Sequence, residues 1–296
     1  MTEIHYPDFL GIGTPKSGTS WLHDLLESHP RVFIPTQLKE IHFFDRRFGD
    51  GREWYANFFR EATPEHSIVG DITPHYLYTD PHRITEFPSI KKLILMYRDP
   101  VDRVVSHFKF RVRLDNYGGS LNDFLVDYPQ VVDYSRYGKH FASYLRVFDR
   151  SQFLVLRLED ATSNVEETKS LLCQFLGLDA QEFPETSGSS VINPAFNPRN
   201  RVLYKAAVRA ARWMGDKGLY GLRNWIKQSW FAKHIILQDG GQFDVRIAPK
   251  TIERLREELS EDYLYFQTLI AGDKAAEDTG PSARTVDYEL HEGITV

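Results

Sequence analysis

The residues Thr14-Pro15-Lys16-Ser17-Gly18-Thr19-Ser20 combine a lysine, hydroxyls and a glycine just ahead of Trp21, Leu22, Leu25 and Leu26, which recur at helical spacing. A loop that opens into a helix N-terminus presents unpaired backbone N–H groups and the positive end of the helix dipole, which is chemistry for an anion. Gly11, Gly13 and Gly18 let the backbone turn tightly and approach a ligand, Lys16 adds a mobile positive charge, and Ser17, Thr19 and Ser20 add hydroxyl donors. The usual nucleoside-triphosphate loop reads G-K-[ST], whereas the order here is Pro15-Lys16-Ser17-Gly18, which disfavours an ordinary NTPase or nucleotide kinase.

Two further groups suit the same chemistry. Arg98 follows the apolar run Lys92 to Tyr97, where its planar guanidinium can hold a phosphate bidentately or pair with a neighbouring carboxylate. Ser106, six residues past Pro100, then stands about 9 Å further along the helix that Asp99 caps and Pro100 begins. Glu40 lies in Lys39-Glu40-Ile41-His42-Phe43-Phe44-Asp45, where aromatics would partly desolvate a carboxylate and suit it to general-base work. His42 is the alternative base, since an imidazole titrates near neutral pH; it reads equally well as a satisfied core histidine. No His/Asp/Glu cluster shows ligand spacing clear of these stretches, so no metal is expected.

The elements that must position these residues are legible as apolar runs. Phe9 to Gly13, Ile68 to Ile72, Lys92 to Tyr97 and Gln152 to Leu158 read as strands; the segment after Gly18, Tyr137 to Phe148 and Ser163 to Leu176 read as helices, the last stopping at Gly177. Alternation of this kind implies an α/β fold, with right-handed crossovers and a parallel sheet flanked by helices. Ligands of such sheets sit at the carboxyl ends of the strands, where the glycine loop, Asp71 and Arg98 all fall.

With 296 residues and no Pro/Gly/Ser-rich linker, one α/β domain over 1–270 is expected. A formal charge of −5 argues against a general nucleic-acid binder. The lone Cys173 sits in an apolar helical pattern, so a buried thiol is expected rather than a nucleophile. The stretch Met1 to Asp8 lacks a basic region followed by an apolar run, and a cytoplasmic enzyme is the expectation. Residues 199–233 hold nine Lys or Arg against one acidic residue, Asp216. There Arg201, Lys205, Arg209 and Arg212 would line one face of a helix, with Leu203, Ala207, Ala210 and Met214 on the other. Interleaved with Trp213, Trp225 and Trp230, this basic segment is either a solvated face or a contact for an anionic membrane or an acidic carrier protein. Residues 271–296 are polar and acidic, as in a disordered tail.

The run Thr14 to Leu22 resembles the 5′-phosphosulfate loop of sulfotransferases that use 3′-phosphoadenosine 5′-phosphosulfate (PAPS), especially the heparan-sulfate branch and its bacterial relatives. The resemblance implies a P-loop-like nucleotide-binding fold, PAPS as donor, adenosine 3′,5′-bisphosphate as product, and an acceptor hydroxyl on a sugar, lipid or polyketide-type molecule. By the same resemblance Arg98-Asp99-Pro100 with Arg103 and Ser106 is the 3′-phosphate clamp, and Arg199, in Asn193 to Arg199, contributes to the phosphates. Lys39 to Asp45 matches the family's K-E-x-H-F-F-D pattern, in which the glutamate is the general base and the histidine and aspartate organise the acceptor side. One departure stands out. The family's E-K-[ST]-P is here Asp71-Ile72-Thr73-Pro74, so either Lys16 does the electrostatic work alone or Lys39, His75 or Arg103 replaces the missing lysine. A nucleotide-binding scaffold that has lost catalysis stays open beside the enzyme.

Overall fold

The computed structural model describes residues 5–188, 196–198, 201–216, 237–239, 245 and 247–271. Its centre is a five-stranded sheet of β1 (Phe9–Gly13), β2 (Val32–Phe33), β3 (Ile68–Ile72), β4 (Lys92–Tyr97) and β5 (Phe153–Arg157), in the order β2-β3-β1-β4-β5. Every pairing is parallel, with Leu10 beside Asp71 on one side of β1 and Gly11 beside Ile94 on the other. The sheet therefore needs a crossover between each pair of strands, and helices cover both faces.

Strand alternation sorts side chains into two cores. Leu10, Ile12, Val69, Leu93 and Leu95 face a cluster with Phe43, Phe44, Tyr55 and Tyr76. Phe9, Ile68, Ile72, Ile94 and Met96 face the other, with Trp21, Leu22 and Leu26 of α1 (Thr19–Glu27) and with Leu172 and Cys173. Cys173 is a buried free thiol, as its pattern indicates.

The strands expected from the sequence form within a residue of their expected ends, and β2 is added as a two-residue edge. The Tyr137–Leu145 helix is three residues shorter than expected, because Phe148 turns back into the core. The helix expected over Ser163 to Leu176 begins at Val165, after a separate helix, Leu158–Ser163, that follows β5 directly, and Gly177 closes it in a left-handed conformation at φ 81°. A further long helix, Pro249–Ala271, is not among the elements expected from the sequence; its Thr251, Leu255, Leu259, Asp262 and Phe266 are buried at helical spacing. Asp262 accepts hydrogen bonds from the backbone N–H groups of Gly138 and Lys139, capping the neighbouring helix from outside. The basic segment is helical over Arg201–Asp216, but its apolar side is not uniformly packed: Met214 is buried while Leu203, Ala210 and Trp213 are exposed. Trp225, Trp230 and the acidic stretch after Ala271 lie outside the described residues. Among the described residues no helix is long and apolar enough to cross a membrane.

Candidate active site

β1 ends at Gly13 and the chain turns through Thr14 to Gly18 into α1. Thr14 N–H donates to the Met96 carbonyl, tying the loop to β4, and the hydroxyls of Thr14 and Ser17 share a 2.6 Å hydrogen bond. Both residues are fully buried, and this bond braces the loop from within. Pro15 and Thr19 are buried as well; Lys16, Gly18 and Ser20 keep partial exposure. Gly18 takes the N-cap position at φ 82°, and no side chain caps the helix, which leaves first-turn N–H groups for an anion. A Cβ on Gly18 would come within 2.3 Å of the Leu158 side chain, so only glycine fits.

The loop forms one wall of a cavity of about 420 Å³ lined by Lys16, Gly18, Arg98, Asp102, Val105, Ser106, Lys109, Phe110, Arg113 and Leu158. Four cations face one carboxylate, a lining suited to a polyanion. Arg98 and Ser106 share this cavity as expected. Arg98 makes loose ion pairs with Asp102 and Glu159, both at 3.7 Å, and its buried Nε has no hydrogen-bond partner. A phosphate at that guanidinium would satisfy the orphaned donor. Asp99 caps the Pro100–Asp115 helix through Val101 and Asp102, as read from the sequence. Lys109, Phe110 and Arg113 escaped that reading; their signal is helical spacing from Asp102 and Ser106 along a helix longer than was followed. Arg199 lies outside the described residues.

Burial and then the charge of Arg113 bring the Lys16 ammonium down to a pKa of about 8, while the Glu40 carboxylate works to raise it. That coupling ties the anion cavity to the Lys39–Asp45 stretch. There His42, at φ 56°, points its Nδ1 at Asp45 Oδ2 (2.9 Å) and its Nε2 at Glu40 Oε2 (3.3 Å). Burial opposes its charge, but the hydrogen bonds to Asp45 and Glu40 prevail and raise its pKa to about 9. His42 is thus an imidazolium at neutral pH, which fits the organising role better than that of base. For Glu40, burial pushes upward while the hydrogen bond and charge of His42 push further downward, so it stays ionised.

The loop bearing Glu40 hangs from the end of β3. Ile41 N–H donates to Thr73 Oγ1 and Phe43 N–H to Tyr76 Oη, while both hydroxyls, with Tyr55, donate to the buried Asp71 carboxylate. Burial lifts Asp71 to about 6, with the three hydroxyl bonds holding it down. Ile72 faces the opposite core. The ligand atoms of Glu40, His42 and His75 lie within 4.8 Å of one another, a grouping that sequence spacing did not reveal. An imidazolium held between two carboxylates offers no lone pair to a cation.

Residues 6–193 match the sulfotransferase domain family. A membrane-associated sulfotransferase of Dictyostelium discoideum, kil1, is 37% identical over 111 residues, covering 36% of this chain and 23% of that protein. Heparan sulfate glucosamine 3-O-sulfotransferase 3A1 of Mus musculus is 31% identical over 183 residues, 58% of this chain and 46% of its own length. The chain thus spans less than half the length of these two curated relatives. A sulfotransferase from Alicyclobacillus acidocaldarius shares the fold, with a TM-score of 0.64 at 20% identity over 93% of this chain and all of the other. With the domain match reaching over more than half of its length, this chain belongs to the sulfotransferase domain family, as a relative of the heparan-sulfate branch.

Proposed function

We propose that this protein transfers a sulfuryl group from PAPS to an acceptor hydroxyl by in-line displacement, with Glu40 as general base. The observation that carries the reading is the adjacency of two unlike sites: a cavity lined by four cations beside a glycine cradle, and the ionised Glu40 held by His42. Loose transfer transition states mainly need positioning and relief of charge on the leaving oxygens, as in phosphoryl transfer. Lys16 is the cation for the leaving 5′-phosphate, the α1 N-terminus donates N–H groups beside it, and Arg98 with Ser106 holds the 3′-phosphate. His42 and Asp45 fix the Glu40 carboxylate where it takes the acceptor proton.

The acceptor is a hydroxyl of sugar, lipid or polyketide type. The curated relatives named for heparan sulfate make a glycan hydroxyl the first to test. Thermal shift with adenosine 3′,5′-bisphosphate against ATP and magnesium, followed by sulfate transfer from PAPS to an acceptor panel, tests the reading. Stabilisation by the bisphosphate with turnover lost in Glu40→Gln supports it; stabilisation by ATP alone overturns it. Bisphosphate binding with no transfer to any acceptor would point to a scaffold.

A further inference from the structure

Position 72 lacks the lysine that the family places near the transferring group, and three side chains stood as replacements. Lys39 reaches outward to Asp24 of α1 at 3.4 Å and is partly exposed. Arg103 is fully buried, its Nε bonded to the Ser135 hydroxyl and its Nη2 to the Val131 carbonyl; Nη1 has no partner, but the side chain is not among those lining the anion cavity. His75 stands beside the proposed base: it follows Pro74 on the turn leaving β3, and a ring nitrogen lies within 4.8 Å of the facing atoms of Glu40 and His42. Its Nδ1 is buried and has no hydrogen-bond partner.

We propose that His75 is a catalytic residue of this site, receiving the acceptor hydroxyl proton by way of Glu40 and becoming, for the duration of transfer, the cation that Ile72 cannot supply. The proposal rests on the sulfuryl-transfer reading above. In the step, the acceptor O–H bond breaks, its proton passes to the Glu40 carboxylate, and Glu40 hands it on to the neutral imidazole, which leaves Glu40 ionised again. The acceptor oxygen bonds to sulfur, and the bond from sulfur to the phosphate oxygen breaks, its electron pair leaving on the bisphosphate beside Lys16. The imidazolium so formed faces the Glu40 carboxylate and gives up its proton once product departs.

The surroundings keep the resting imidazole neutral. Burial lowers its pKa first, the charge of His42 next and Arg46 further, while Glu40 and Asp45 act in the other direction. Tyr78 and Tyr134 present ring edges, centroids at 6.3 and 6.0 Å, and add no charge. His107, on the Pro100–Asp115 helix, is itself neutral, its pKa brought down to about 3 by burial and by Arg103. A neutral imidazole matches the operating pH better than a carboxylate already held by an imidazolium, so the proton taken by Glu40 comes to rest on His75.

The test follows conversion of PAPS to the bisphosphate, with water and with heparan sulfate as probe acceptors, and in parallel the His75 imidazole resonances over pH. His75→Ala and His75→Asn should each lose on the order of 100-fold or more in turnover while bisphosphate affinity stays within a factor of two. Asparagine can bond Glu40 but cannot take its proton, so its failure to rescue separates proton transfer from positioning. The wild-type rate should fall at low pH along the same curve as the His75 titration, and Glu40→Gln should move that titration to lower pH. Turnover in His75→Asn within threefold of wild type, with an unchanged pH profile, overturns this proposal alone. A wild-type protein that binds the bisphosphate yet converts no PAPS overturns the proposed activity and this proposal together.

Discussion

The Lys16 ammonium rests 3.7 Å from the centroid of the Phe110 ring, so the cation proposed for the leaving phosphate is held against an aromatic face. Its pKa of about 8 makes donor binding pH-linked. Below about pH 8 the ammonium is already formed; above it, a bound polyanion must draw a proton onto Lys16. Affinity for adenosine 3′,5′-bisphosphate should therefore weaken above pH 8, by at most about tenfold per pH unit. Calorimetry in buffers of different ionisation enthalpy should register proton uptake there, and Lys16→Ala should abolish it.

Gly18→Ala meets two obstacles, a left-handed φ of 82° and the Leu158 methyl at 2.3 Å. Loss of bisphosphate binding and a destabilisation of about 2–4 kcal/mol are expected from the strain and the overlap together. Adding Leu158→Ala removes only the overlap, so urea unfolding of the double variant should still show the backbone strain, about 1–2 kcal/mol, alongside whatever the Leu158 truncation costs alone.

Restoring the family residue should fail. Ile72 is buried at 2% exposure among Phe9, Trp21 and Leu22, on the face of β3 away from Glu40. Ile72→Lys should cost about 3 kcal/mol or more in equilibrium unfolding, through an unpaired charge in an apolar core, with no gain in turnover. A rise in turnover at full stability would refute the placement of that side chain.

His42 links stability to pH. Its folded pKa of about 9 exceeds the unfolded value of 6.5, so its stabilising contribution is complete below pH 6.5 and disappears as pH rises through 9. The denaturation midpoint should slope downward across that window. Asp45→Asn, which removes the 2.9 Å partner, should flatten the slope and lower turnover.

The cavity that brings Lys16, Gly18, Arg98 and Ser106 together was legible because its residues are local in sequence. Lys16 and Gly18 sit in one turn, and Arg98 and Ser106 bracket one helix start whose Asp99 cap and Pro100 are recognisable. The limits have physical causes. That the Ser17 hydroxyl also meets Thr14 inside the loop follows from the turn's geometry, which residue types alone do not reveal. Lys109 and Arg113 reach the cavity by helical periodicity carried over three turns, and Glu40 meets His75 because a hydrogen-bond relay draws two distant segments together. The Pro249–Ala271 helix was open to detection from its spacing, although a buried Asp262 interrupts the apolar stripe and caps another helix.

Asp71 takes three hydroxyl donors on one strand while its neighbour across the ladder, Leu10, lies on the strand that ends in the anion loop. The Lys16 loop and the Glu40 loop are thus carried on adjacent strands whose offset is set by backbone pairing. Slipping that pairing by one residue would displace Asp71 by about 3.3 Å and turn it toward the wrong core. The spacing between Lys16 and the proposed base is therefore a property of the sheet ladder, and a mutation that loosens the β1–β3 pairing should blunt the proposed chemistry without touching a residue assigned to the substrates.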